Sequence, residues 1–385
     1  MFFISQFFIM FKRIIPYFTL ICIVLTSTFF LWFPFLFRIP SWFGLKIENS
    51  NFQYIYKQYD GPLYIIPAKT FYNPKEISKI NRDSSLSQDS TYFTAHLPLY
   101  PLSIRLISPI FGYLKGMLVV NLFFSGALAC LFYYVITRFK LTKNPLLLSS
   151  IFLFLPRFLV VRSAGAPESL FIFLVLLSLF FFESKRFVLS GIAGALSVMT
   201  KTPGILLFVA YSLVWIENIR KTKKINPRFL WIGLIPLGFI LVCVLYGFQT
   251  GNFLSYFQSG DNIHLVFPFS VFNFQAKWVG TAWLEDILFY FFVYGTTVLY
   301  LKDSKYRSFF YFTLVLFTAT LFVQHRDISR YSLPLWPLAC IAFDQFLISP
   351  KIRPILFLLL PGIFFYVWNF LVFNIMPITE WLPFL

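Results

Sequence analysis

Charge is scarce in this chain. Only 12% of its 385 residues are Asp, Glu, Lys or Arg, while 58% are hydrophobic and the mean hydropathy is +0.75. One water-soluble core cannot bury that much apolar surface, so a single soluble domain is excluded and most of the chain must be solvated by lipid. Acidic residues are rarer than basic ones, 15 against 32, giving a net charge of +17. The four cysteines, Cys22, Cys130, Cys243 and Cys340, lie inside apolar runs without metal-ligand spacing, which argues for inert thiols and against a disulfide framework. No H-E-x-x-H, glycine-rich phosphate loop, repeated unit or N-x-S/T sequon occurs. The missing sequon fits a bacterial or archaeal cell membrane better than the endoplasmic reticulum.

Long apolar runs are what the chain has instead. Residues 14–37 carry no charge over 24 positions, and a helix needs roughly 20 apolar residues to cross the ~30 Å hydrocarbon layer. A cleaved signal peptide would have a shorter apolar region and a small-residue cleavage site. Residues 28–38 are dominated by Phe, Leu and Trp. The positive charge is distributed in a way that excludes nucleic acid as its reason. Six short loops, holding Lys12 and Arg13; Arg138, Lys140 and Lys143; Lys185 and Arg186; Arg220 to Arg228; Lys302 to Arg307; and Lys351 and Arg353, contain 17 of the 32 basic residues and only Glu183, Glu217 and Asp303 on the acidic side. Short loops of this kind stay in the cytoplasm.

Placing them there predicts an all-α polytopic membrane protein, a single integral membrane domain over residues 1–385. Eleven segments follow, near 14–37, 116–137, 145–161, 168–182, 187–200, 202–216, 229–249, 285–301, 308–324, 331–348 and 354–375, with the N-terminus inside. Two large exterior loops result, 38–115 and 250–284, the second containing His264. The first is rich in Tyr and Phe over 52–72, as suits the headgroup layer, polar over 73–90, and apolar with prolines over 93–114. Charges at bilayer depth are costly enough to mark functional candidates. Asp60, His96, Arg157, Arg162, Glu168, Lys201, His325, Arg326, Asp327 and Arg330 all fall toward the exterior face, whereas Asp344 is not placed by this pattern.

At these residues the sequence resembles a known family. The order YDGPLYIIPAKTFY around Asp60, AHLPLYPLSIRL (95–106), SAGAPESLFIFLVLLSLFF (163–181), GIAGALSVMTKTPGILL (191–207) and RYSLPLWPL (330–338) is similar to the GT-C superfamily. Within it the chain resembles the second mannosyltransferase of glycosylphosphatidylinositol anchor assembly and its compact prokaryotic relatives. The resemblance implies a GT-C-type helix bundle that transfers a sugar, expected to be mannose, from a polyprenyl-phosphate donor to a lipid- or envelope-linked acceptor at the exoplasmic face. It places the family's catalytic acid at Asp60, which would take the proton of the acceptor hydroxyl. Fixed cations are needed for the leaving phosphate, and Arg162, Lys201, Arg326 and Arg330 are available, with His96 and Glu168 as further substrate-binding candidates. One base and an in-line displacement would invert the anomeric centre. The donor needs no nucleotide-sugar metal, so no metal and no cofactor beyond the lipid-linked sugar is expected.

Simpler roles exist for each residue. Asp60-Gly61-Pro62 is good turn chemistry, and Glu168, between Pro167 and an apolar run, suits a helix N-terminus. His96 suits a packed, hydrogen-bonded histidine, Lys201 a snorkelling side chain and Arg330 an interfacial anchor. His325, Arg326 and Asp327 suit a solvated turn. The K-T-P-G stretch at Lys201 departs from the Arg-bearing form of the family, and the chain is short. The anchor-precursor acceptor is therefore not carried over. A transporter or flippase for lipid-linked glycans is the competing class, although paired repeats and helices broken at the midplane are not evident.

Overall fold

The computed structural model describes residues 2–47, 51–82, 88–260, 265–272, 284–378 and 380–385. His264 lies outside them. The protein is about 75% helical, and among the described residues the strands are one short antiparallel pair, Ser41–Trp42 with Leu45–Lys46. The all-α polytopic architecture expected from the sequence is what the fold has. The main helices are α1 (Phe2–Leu36), α2 (Gly61–Thr70), α3 (Leu99–Arg138), α4 (Pro145–Phe152), α5 (Pro156–Arg162), α6 (Glu168–Glu183) and α7 (Phe187–Val198), followed by α8 (Leu206–Thr222), α9 (Leu234–Thr250), α10 (Glu285–Leu301), α11 (Arg307–Leu321), α12 (Trp336–Ala342) and α13 (Arg353–Phe373).

Each of the eleven expected segments coincides with helix, but among the described residues five helices are individually long and apolar enough to cross a bilayer, and a sixth crossing is available if α4 and α5, bent by 74°, form one span. The remainder are shorter. Helices α6 and α7 have 16 and 12 residues, and at 1.5 Å per residue a 12-residue helix is only about 18 Å long, well short of the ~30 Å layer. Helix α3 is two helices in one. Gly112, at φ 70° and ψ 168°, breaks it, so Leu99–Phe111 turns away from the spanning part. Leu106 and Ile110 are largely exposed on that first part, as suits a segment lying in the interface.

Small residues decide how closely the central helices pack. A Cβ on Gly191 would sit 2.3 Å from the Trp231 carbonyl oxygen, one on Gly194 2.6 Å from Ile235, and one on Gly238 2.7 Å from the Ala195 carbonyl oxygen. Helices α7 and α9 therefore approach along a glycine seam, as membrane helices do where dispersion contacts replace the hydrophobic effect. The four cysteines are free, as expected. One consequence of the up-and-down order positions the site. Helices α7, α10 and α13 each have one end at a basic loop and the other at a large cavity, and α6 and α11 end at Glu168 and at the 322–327 turn beside it.

Candidate active site

The cavity has a volume of about 1010 Å³, at the upper end of ligand pockets, which run roughly 300–1,000 Å³. Of the ten ionisable residues singled out in the sequence, eight line it: Asp60, His96, Arg157, Lys201, His325, Arg326, Asp327 and Arg330. A ninth, Glu168, lies directly behind, its carboxylate holding two of the lining cations. The tenth, Arg162, does not reach the cavity. It is 1% exposed and donates to Ser27 Oγ at 2.7 Å and Thr28 Oγ1 at 2.9 Å, tying α5 to α1.

Two glycine stretches bring the acids together. Asp60 occupies the N-cap position of α2, with Pro62 in the first turn, yet its side chain makes no capping bond. The turn chemistry is real, but the carboxylate is left for another use. Gly61, the next residue, faces Gly165 so closely that a Cβ on Gly61 would lie 2.7 Å from the Gly165 carbonyl oxygen. The 163–167 turn is itself anchored, Asn121 donating to the Ala164 carbonyl and Trp32 to that of Ser163 at 2.8 Å. That turn delivers Glu168 as the first residue of α6, so the D-G and G-A-P-E stretches meet at a backbone contact.

Glu168 is 2% exposed, and its Oε1 accepts from Arg330 Nε and Lys201 Nζ, both at 2.7 Å. Buried charges persist when paired and hydrogen-bonded in this way. Lys201 arrives through a second tight turn. A Cβ on Gly204 would lie 2.6 Å from the Val198 amide nitrogen, so the T-P-G turn folds tightly against the end of α7. Arg330 Nη1 then stands 3.7 Å from Asp60 Oδ2. The Asp60 side chain is 45% exposed, facing the cavity.

A second ion pair, Arg157 with Asp327, lies beside the first. Burial raises the Asp327 carboxyl, but Arg157 and Arg330 outweigh burial and hold it below the ordinary carboxylate range. The ring of Tyr59 sits between the two arginines, 4.3 Å from Arg330 and 5.4 Å from Arg157, within cation–π range. His96 is 3% exposed, with its ring edge-on to Tyr64 and Nδ1 without a hydrogen-bond partner among the described residues. Burial lowers its pKa to about 4 while nearby Asp60 opposes the shift, so His96 is neutral near pH 7. Arg326 is exposed at the cavity and has no ion pair among the described residues, unlike the other three lining cations. Sequence reasoning missed Tyr59 and Asp286, which also line the cavity. An aromatic beside Asp60 and an acid at the start of an apolar run carried no distinguishing signal in so aromatic a chain.

The fold and cavity define a polytopic membrane protein with a buried charge network under a wide polar chamber. No protein-family model matches the chain. Over 253 residues it is 25% identical to GPI mannosyltransferase 1 of Saccharomyces cerevisiae, an alignment covering 62% of this chain and 58% of that protein. The likeness supports a relationship to membrane mannosyltransferases. The relative is mannosyltransferase 1, whereas the motifs above were matched to the second enzyme of that name.

Proposed function

We propose that the chain is an inverting glycosyltransferase that moves a sugar, mannose by the relative's name, from a polyprenyl-phosphate donor to a lipid- or envelope-linked acceptor, in a cavity opening on the exoplasmic side. The observation that carries this reading is the Asp60 carboxylate. It faces the chamber, unspent as a helix cap, and is set by an Arg330–Glu168–Lys201 network that leaves it available to accept a proton.

The roles follow from the charges. The acceptor hydroxyl gives its proton to Asp60 as its oxygen attacks the anomeric carbon. The bond from that carbon to the donor phosphate oxygen breaks with its electron pair going to the phosphate. Arg326, free of carboxylates among the described residues, is the first cation to meet that phosphate, and Arg330 and Lys201, held in place by Glu168, stabilise the charge that develops. His96, neutral, presents a ring nitrogen to a sugar hydroxyl. The reaction so drawn calls on no metal or other cofactor. The cavity end lies opposite the basic loops along the same helices, which fits an exoplasmic site under the positive-inside rule.

The test is transfer of radiolabelled mannose from polyprenyl-phospho-mannose to membrane glycolipid extract by the purified chain in detergent. Labelled product supports the enzyme. Donor translocation in vesicles without any product would instead support a flippase.

A further inference from the structure

The segment that follows α13 returns to the first exterior loop just before Asp60. Gln58 and Ile375 form an antiparallel bridge, and the Met376 amide donates to the Lys57 carbonyl at 2.8 Å. Gln58 is fully buried. Its amide donates to the Tyr54 carbonyl at 3.1 Å and to the Leu371 carbonyl, one of the carbonyls at the C-terminal end of α13 that no helical amide can reach. On the near side Lys57 also lies over the Trp381 ring at 5.6 Å, and at the far end of α2 Lys69 Nζ donates to the Pro383 carbonyl at 2.8 Å. The short stretch carrying Asp60 is thus held at both ends by residues that follow Phe370, Leu371 to Met376 at one end and Pro383 at the other.

Between Gln58 and Asp60 stands Tyr59, at φ 49°. A bulky non-glycine residue rarely adopts this left-handed conformation and keeps it only where its surroundings determine it. They do so here. The Tyr59 ring packs against Phe370 of α13 at 5.3 Å and between Arg157 and Arg330. The backbone reverses at Tyr59 so that Asp60 leaves the turn facing the cavity while Gln58 stays locked to α13.

We infer that Gln58 and Tyr59 are positioning residues, through which the end of α13 fixes the Asp60 carboxylate relative to Arg330. The inference rests on the proposed function for its kinetic consequence, but the mechanical link stands on geometry alone. Helix α13 also supplies Tyr366 and Phe370 to the cavity wall, with Asn374 just past its end, so a substrate pressing on that wall acts on the same helix that sets the base.

The test separates the two layers. Hydrogen exchange is followed in Gln58→Met, which keeps the side-chain length and removes the amide. Peptides covering 57–64 and 371–378 should both exchange at least tenfold faster than in the wild type, while peptides from α6 and α7 stay unchanged. Steady-state transfer by Gln58→Met and Tyr59→Leu, normalised to folded protein, should show kcat down tenfold or more with the KM for donor and for acceptor within about twofold. Unchanged exchange in both peptides overturns the link. Normal kcat per folded molecule with only a lower yield assigns Gln58 a structural role and overturns the positioning claim. Faster exchange in a chain whose wild type transfers no sugar would refute the proposed reaction and leave the mechanical link standing.

Discussion

At the scale of single residues, the cavity's cations divide by whether a carboxylate already holds them. Arg330 and Lys201 share Glu168, and Arg157 has Asp327, so only Arg326 among the described lining cations meets a ligand uncommitted. Removing Arg326 as Arg326→Ala is expected to raise the donor KM about tenfold or more, the size of one charge-assisted hydrogen bond, with thermal stability unchanged. Kinetics with donor varied at saturating acceptor decides this. An unaltered donor KM would shift the phosphate onto Arg330 and Lys201. His96 makes a prediction in pH. Its pKa of about 4 in the fold lies below the ordinary 6.5, so the unfolded chain binds the extra proton first. Stability from this group is complete above about pH 6.5 and is lost as pH falls toward 4, on the order of 3 kcal/mol in all. Melting curves in detergent from pH 7 to 4 should show a steeper fall for the wild type than for His96→Phe, and parallel curves would contradict it. Arg162 shows the limit of reading charges alone. A buried cation signals a constraint, yet its partners are hydroxyls on α1 and not a ligand, and nothing in its neighbouring sequence distinguishes it from Arg157.

Among the secondary-structure elements, the short motifs turn out to be packing devices first. Asp60-Gly61 and Gly165 through Glu168 were legible as special because Gly and Pro punctuate apolar runs, but their joint meaning, a backbone contact between Gly61 and Gly165, joins residues about a hundred positions apart and no periodicity reports it. Adding a methyl there makes the point testable. Gly61→Ala should fold, since Ala suits a helix better than Gly, yet its Cβ at 2.7 Å from the Gly165 carbonyl oxygen forces α2 away. A displacement near 1 Å can cost up to about 10² in rate, so transfer should fall at least tenfold while the protein remains monodisperse in gel filtration. Full activity would separate Asp60 placement from this contact. The return of residues 375–377 to the first loop was equally illegible, because pairing between distant irregular segments leaves no sequence pattern. By contrast, helix positions were largely readable from apolar runs and basic loops. Helices α6 and α7 are about as short as the apolar runs 168–182 and 187–200 that mark them; what α7 packs against, the glycine seam with α9, needed the structure.

On the scale of the whole molecule, helices α7, α10 and α13 carry a basic loop at one end and reach the cavity at the other. The proposed exoplasmic reaction requires the cavity to open on the face opposite the cytoplasm. Single cysteines at Lys79 and Thr222, both exposed, in a chain with its native cysteines replaced, are to be probed with an impermeant thiol reagent in intact cells. Lys79→Cys should label and Thr222→Cys should label only after permeabilisation; the reverse would turn the cavity to the cytoplasm. The central claim is narrower than topology and is tested most directly at Asp60. Asp60→Asn keeps the size of the side chain and its place beside Arg330 while removing the proton acceptor. Measured with radiolabelled polyprenyl-phospho-mannose at saturating donor and acceptor, kcat should fall by about 10² to 10⁴, the contribution of a positioned base, with the melting temperature close to that of the wild type. Transfer by Asp60→Asn at the wild-type rate would contradict the account and move the base to another cavity carboxylate, Asp286 first.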